Sequence, residues 1–183
     1  CSNLKRIEFP EDSKLEIIEK NGLSNIPIKN ISIPKHVKEI GSMAFYSNRV
    51  LNNIEFTENS ELQLIKKLAF YGNPIRKILF PSSLKRIEEE AFFFCQKLKN
   101  IEFNKDCHLK FIGKSAFRFS EIESFSIPSS VNYIGKNAFS NCFCLQIIEI
   151  NEYSQLEKIR NDWLENSPNV ILMNPPNFIH THK

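Results

Sequence analysis

The five cysteines, at positions 1, 95, 107, 142 and 144, are the side chains in this sequence that could take part in the most kinds of reaction. A thiolate can attack an electrophile, bind a metal or form a disulfide. Cys1, Cys95 and Cys142 each stand three residues before an apolar strand motif, and Asn48 takes the same place before another. An exchange of Cys for Asn at a fixed place indicates a small side chain that bonds to neighbouring backbone inside a turn. We therefore expect no structural disulfide and no metal site.

The histidines and serines offer no catalytic arrangement either. His36 and His108 fall in predicted turns, and His180 and His182 lie in the terminal "HTHK", where a frayed chain end is more usual than a metal site. The recurring serines are accounted for by a repeat, and no glycine-rich phosphate loop is present. The sequence thus predicts no catalytic residue, metal or cofactor, and a protein that is not an enzyme.

The repeat is an apolar-x-x-apolar-x-apolar motif that returns after 24 and 23 residues in alternation, so that the full period is 47. A degenerate copy begins at Val170. The seven clear copies begin at Leu4, Ile28, Leu51, Ile75, Leu98, Ile122 and Leu145.

Within each unit the motif predicts a strand, because its apolar residues alternate with a period of two. A second apolar pair such as Val37 and Ile40 follows, and then an Ala-Phe pair such as Ala91-Phe92. We expect the phenylalanine of this pair to fill the interior of each coil. Phe93 and Phe94 are additional, and they either pack between coils, the preferred interpretation, or include an exposed aromatic contact.

These features predict an α/β-type repeat solenoid, a right-handed stack of about seven coils of 23 or 24 residues. We expect a concave parallel β-sheet and an irregular or short-helical convex side. Pro34, Pro81 and Pro128 directly follow predicted strands, which argues against a helical bundle. The predicted solenoid covers residues 1–173 as one domain, the C-terminal part of a longer array, and residues 174–183 form a tail.

The stretch "IPSSVNYIGKNAFSNCFCLQIIEI" at 127–150 resembles the leucine-rich repeats of the BspA-like surface proteins. Their unit runs strand, "IPSSV", "IG", "AF", "C" and "L", and the resemblance extends over about residues 1–173. It implies display at the cell surface, or secretion, and a role in adhesion or recognition. It weakens in the seventh unit, "NDWLENSPN", and in the tail.

The strand residues that point away from the core are the candidate binding surface, because solenoids commonly bind through the sheet side. One outward row is mainly acidic, with a single apolar member at Leu79, and basic residues run beside it. Mutual pairing across strands would explain these charges simply. The alternative is a recognition surface on the concave face, formed by Arg76, Lys77, Leu79, Lys99, Asn100, Glu55 and Glu102. Convex loops and lateral edges remain further alternatives.

The net charge of +3 is too small to indicate nucleic acid, and no apolar run is long enough to span a membrane. A membrane would therefore be reached only through parts outside this chain. The expected partner is a protein: a host or matrix protein, or a neighbouring subunit if the chain is a cytoplasmic scaffold. Unpaired cysteines favour that cytoplasmic alternative. The motif at 4–9 has no polar cap before it, and Pro175-Pro176 blocks pairing at the other end, so we expect self-association at the N-terminal strand edge.

Overall fold

The second to seventh coils each contribute one strand of four residues and one strand of two residues, and all strand pairs in the described residues are parallel. The structure is a computed structural model, and it describes residues 4–151, 153–160, 162–168 and 170–174. The longer strands are β2 (Asn30–Ile33), β4 (Asn53–Phe56), β6 (Lys77–Phe80), β8 (Asn100–Phe103), β10 (Ser124–Ile127), β12 (Ile147–Ile150) and β14 (Ile171–Met173). The two-residue strands are β1 (Ile17–Ile18), β3 (Glu39–Ile40), β5 (Leu64–Ile65), β7 (Arg86–Ile87), β9 (Phe111–Ile112), β11 (Tyr133–Ile134) and β13 (Lys158–Ile159).

The short strands form one continuous seven-stranded sheet in the order β1-β3-β5-β7-β9-β11-β13. The longer strands instead pair in groups, β2-β4, β6-β8 and β10-β12-β14. The predicted parallel solenoid of about seven coils is confirmed. The short-strand sheet was not expected, because its apolar residues, such as Val37 and Ile40, are three apart and do not show the strand period of two.

The core is a ladder of stacked phenylalanines, one from each Ala-Phe pair. Neighbouring rings along Phe45, Phe70, Phe92, Phe117 and Phe139 lie 5.0, 5.0, 5.4 and 5.3 Å apart between centroids, with nearly parallel planes. All five side chains are fully buried. The prediction that this phenylalanine fills the interior of the coil is therefore confirmed, and the ladder continues the hydrophobic core from coil to coil.

The expected short helices, and with them the α/β label, are wrong for the described residues, none of which is helical. The turn that contains Ala-Phe has two residues with positive φ, four positions apart, as at Glu90 (58°) and Phe94 (62°). A right-handed helix cannot continue through a left-handed residue. The backbone N–H of the core phenylalanine also donates to the next coil, as from Phe92 to the Ala116 carbonyl at 2.8 Å, and is unavailable for a helical bond.

The "IG" element of the repeat reflects a close approach between coils. A Cβ atom at Gly113 would lie 2.5 Å from the carbonyl carbon of Glu88, and one at Gly135 would lie 2.6 Å from the nitrogen of Lys114. Only glycine allows the two backbones to come this close.

The first motif copy forms no strand, contrary to expectation. Leu4–Phe9 has no ladder pairing with β2, and a cleft lined by Ile7, Phe9, Ser32 and Pro34 separates the two segments. The expected strand edge is therefore not formed by these residues, and self-association stays a prediction. Pro175 and Pro176, the expected cap, lie outside the described residues, as does the tail from 175 onward. In the part that the structure describes, no helix is long and apolar enough to cross a membrane.

Candidate binding surface

The cysteine column is a set of buried donors that tie one coil to the preceding one. The Cys95 thiol donates to the carbonyl of Phe70 at 3.1 Å, and the Cys142 thiol to that of Phe117 at 3.3 Å. The Asn48 side chain makes two hydrogen bonds to the preceding coil: it accepts from the N–H of Ile26 at 2.8 Å and donates to the carbonyl of Leu23. The predicted role of this position, bonding to backbone inside the turn, is confirmed for these three residues. Cys1 lies outside the described residues.

The same column includes members that the sequence motif did not reveal. Asn73, Ser120 and Ser167 each donate from the side chain to the carbonyl of a core phenylalanine, at 2.7, 2.7 and 2.6 Å. Asn73 and Ser120 were missed because they stand two residues before the next motif copy rather than three, since the last part of the 24-residue coil is one residue shorter than that of the 23-residue coil. Ser167 was missed because the copy after it, at Val170, is degenerate.

Burial suppresses the reactivity of the core thiols. Loss of hydration raises the pKa of Cys95 to about 12 and that of Cys142 to about 11. Desolvation also raises the pKa of the half-buried Cys107. Because the thiolate is the reactive species, none of these three thiols is activated as a nucleophile.

We expect Cys144, which is exposed, to react first with a thiol reagent in the native protein, and Cys107 more slowly. Cys95 and Cys142 should react only after unfolding, because both are buried and protonated at neutral pH. Thiol counting with and without denaturant measures this. In a reduced preparation all five cysteines should titrate in denaturant, and a count below four would show that a structural disulfide had been overlooked.

The histidines and serines have structural partners. His36 Nδ1 lies 3.0 Å from Glu61, and His108 Nδ1 lies 3.0 Å from the carbonyl of Ser82. Ser83 and Ser130, from the "PSS" element, each donate to two carbonyls of the preceding coil. Among the described residues no group of three or more His, Cys, Asp or Glu side chains could hold a metal ion. His180 and His182 are not among them.

The seven candidate residues all lie on or beside the outward face of β4, β6 and β8, which we call the strand face. Leu79 is 48% exposed, although its strand neighbours Ile78 and Phe80 are buried. The structure brings four of the seven around one cleft, namely Glu55, Lys77, Leu79 and Glu102. Arg76, Lys99 and Asn100 do not line this cleft. They are exposed, and they lie at the start of β8 or directly before β6 or β8.

This cleft, which we call the central cleft, has a volume of about 250 Å³ and opens between β4 and β6. These two strands share no ladder pairing, and the closest backbone bond is from Arg76 N–H to the Asn52 carbonyl at 3.4 Å. Asn53, Ile54, Phe56 and Ile78 complete the cleft wall, and sequence analysis missed the three apolar residues because their alternation marked them as core. The cleft is therefore an apolar floor with a charged rim.

Clefts recur along the strand face with the 47-residue period. Each one follows a 24-residue coil, at Ser32, Leu79, Ser126 and Met173. In these coils five residues separate the strand from the second apolar pair, as between Phe56 and Leu62, whereas three suffice in the others. The longer turn coincides with each of these four clefts. The sequence contained this signal as the alternation of 24 and 23.

The charges of the strand face in and around the central cleft are only partly neutralised by one another. Lys99 pairs with Glu123 at 3.0 Å, so the simple cross-strand explanation holds for that residue. Among described residues Arg76, Lys77 and Glu102 make no ion pair, and Glu55 accepts a hydrogen bond from Asn53. The surface thus offers two free cations, two carboxylates and one exposed leucine.

The sequence of the chain matches the model of one protein family. A sequence model described as "BspA type Leucine rich repeat region" matches residues 1–87 and 63–181, with six copies. No curated protein sequence matches the chain significantly.

Three bacterial proteins of known structure share the fold. The pneumococcal vaccine antigen PcpA is 31% identical, with a TM-score of 0.67 over 69% of this chain and 31% of its own. A leucine-rich repeat protein from Bacteroides ovatus is 25% identical, with a TM-score of 0.70 over 94% of this chain and 44% of its own. The chain therefore spans less than half the length of either protein. A leucine-rich repeat protein of T. pallidum, 22% identical with a TM-score of 0.58 over 92% of this chain and 68% of its own, agrees in fold.

Proposed function

Because the chain belongs to the BspA-type leucine-rich repeat family, we propose that it is a non-catalytic module that binds a protein ligand at the cell surface. The family is typically non-catalytic, and leucine-rich repeat proteins generally mediate contacts between proteins. The relative that is 31% identical is described as a vaccine antigen, which supports a surface location. We further propose residues 1–173 as one repeat domain with a tail at 174–183.

The observation that carries the proposal is the position of Leu79. Between β2 and β12 it is the one apolar member of the outward acidic row, it is exposed, and it stands at the rim of the central cleft. A buried apolar anchor surrounded by polar groups is typical of the energetic centre of a protein interface. We propose that the ligand covers Leu79 and pairs with Arg76, Lys77, Glu55 and Glu102, while Lys99 and Asn100 lie at the rim.

The test is binding to a panel of purified extracellular-matrix proteins by biolayer interferometry. We expect at least one of them to bind the parent chain, and Leu79→Asp to weaken that binding about tenfold or more, because it places a charge at the anchor. Ile147→Asp is the matched control, since Ile147 is a 37% exposed apolar residue on β12, away from the central cleft.

The proposal would be wrong if no protein of the panel bound above a reference surface. It would also fail if both substitutions weakened binding equally, because the effect would then not belong to the central cleft. Circular dichroism of both variants should match the parent, since neither side chain is part of the core.

A cytoplasmic scaffold is the second candidate, and the exposed free thiol of Cys144 favours it, because such thiols persist in reducing compartments. Antibody labelling of intact and permeabilised cells that express the full-length protein separates the two. Labelling of intact cells supports surface display, and labelling only after permeabilisation supports the scaffold.

A further inference from the structure

A second row of aromatic side chains lies outside the core, directly after the Ala-Phe pairs. Tyr46 stacks on Tyr71 with 4.7 Å between ring centroids, and Tyr71 stacks on Phe93 at 5.6 Å. Phe93 and Phe94 both meet Phe119 edge to face, at 5.6 and 6.1 Å. We call these five residues the edge cluster. It follows the Ala-Phe pairs of four consecutive coils and includes no residue of the strand face.

The edge cluster is partly open to solvent. Phe93 is half-buried and packs against the neighbouring coils, as the preferred interpretation had it, but Phe94 is 42% exposed. Phe94 therefore fits the other interpretation, an exposed aromatic contact.

Two members of the edge cluster occupy a backbone position that disfavours them. Phe94 and Phe119 both have φ of 62°, in the left-handed region. The equivalent place in the other coils carries residues that tolerate this conformation or are small: Asn25, Ser47, Gly72, Asn141 and Asn166. The repeat therefore does not require phenylalanine at this left-handed position. Local rules are most often broken in this way where a residue is retained for function.

One unpaired donor contacts a ring of the edge cluster, and two more belong to a coil of that cluster or to the next coil. The guanidinium of Arg118 lies 4.9 Å above the Phe119 ring, and its buried Nε has no hydrogen-bond partner in the described part of the chain. The same is true of the buried Asn141 Nδ2, in the next coil. Lys97, three residues after Phe94, is exposed and makes no ion pair with any described residue. Arg118 and Lys97 are thus two cations without an ion-pair partner among the described residues, and an anionic partner would neutralise them.

We propose that the edge cluster is a second interaction surface, which takes a protein segment carrying an apolar side chain next to a carboxylate. The apolar side chain covers Phe94 and Phe119, and the carboxylate accepts from Arg118. Charge complementarity selects the acidic partner, because the donors at this edge are cationic or neutral and unpaired. Exposed aromatic rings with an adjacent arginine are the residue types that dominate binding energy at protein interfaces.

The test uses short fluorescent peptides that alternate Leu or Phe with Asp, titrated with the parent chain and followed by fluorescence anisotropy. We expect the acidic apolar peptides to bind, and neither the versions with Lys for Asp nor those with Ser for the apolar residue. Phe94→Asn and Phe119→Asn should each weaken binding about tenfold or more. Their thermal midpoints should be equal to the parent's or higher, because asparagine is at ease in the left-handed region. A purely structural role would lower the midpoint.

Phe143→Asn is the matched control, because Phe143 is a phenylalanine that is 65% exposed and outside the edge cluster. It should leave peptide binding unchanged, and so should Leu79→Asp on the strand face. Failure of every acidic apolar peptide to bind, or equal binding of the Lys versions, would overturn the proposal. Loss of peptide binding in Leu79→Asp would do the same, because the peptide would then occupy the strand face. The proposed function can fail without affecting this test.

Discussion

Phe92→Ala should destabilise the protein by about 3–5 kcal/mol, the cost that is usual for removing a large buried aromatic side chain. Phe92 is fully buried at the middle of the phenylalanine ladder, with Phe70 at 5.0 Å on one side and Phe117 at 5.4 Å on the other. Phe80 meets it edge to face at 5.6 Å. Its removal leaves a cavity that three rings border, and because those rings are held by their own coils the cavity cannot easily collapse. Denaturant titration measures the loss.

Phe94→Ala is the internal comparison, because Phe94 is two residues away, is 42% exposed and does not belong to the core ladder. We expect it to cost less than about 1 kcal/mol, in the range of surface substitutions. The ordering of the two variants is the decisive result. Equal losses would mean that the inward direction of the residues after Ala91 had been assigned wrongly.

The stacking of coils could be predicted because it depends on periodicity, and a solenoid repeats each contact. Apolar residues such as Ile31 and Ile54 recur at fixed spacing and pair across β2 and β4 in the structure. The same holds for the Ala-Phe pairs, since a bulky ring at a constant place in every coil has to stack on its neighbours. The core could therefore be predicted from the periodicity of the sequence alone.

The turns could not be predicted in the same way, because their conformation depends on bonds between coils. The N–H of Phe70 donates to the Ala91 carbonyl at 2.8 Å, a contact that no local propensity describes. Met43 and Leu68 also adopt positive φ, which residues with such side chains normally avoid. Their residue types therefore gave no sign of a left-handed turn. The expectation of short helices failed for these two reasons together.

The candidate site was predictable in part. Alternation along β6 correctly placed Leu79 outward, and the charged residues beside it are exposed. The central cleft was not foreseen, because it arises where β4 and β6 fail to pair, and pairing is a property of two strands rather than of either sequence.

Asn48→Ala should cost about 2–4 kcal/mol, because it leaves two buried backbone groups without partners. The Asn48 side chain is fully buried, accepts from the N–H of Ile26 at 2.8 Å and donates to the carbonyl of Leu23 at 2.7 Å. Both groups belong to the preceding coil, where a turn ends and the next strand approaches. Water cannot replace the amide unless the coil opens, so alanine removes the bonds without a substitute. Thermal and denaturant unfolding of the variant measure the cost.

Cys95→Ala separates this hydrogen-bonding effect from the mere loss of a small buried side chain. Cys95 occupies the same column and is equally buried, but its thiol makes one weak bond, to the carbonyl of Phe70 at 3.1 Å. We expect a cost of about 1 kcal/mol, so that asparagine contributes more than cysteine at one and the same place in the repeat. If the two alanine variants lost equal stability, the column would serve packing rather than backbone capping. The exchange of Cys with Asn between coils would then reflect side-chain size alone.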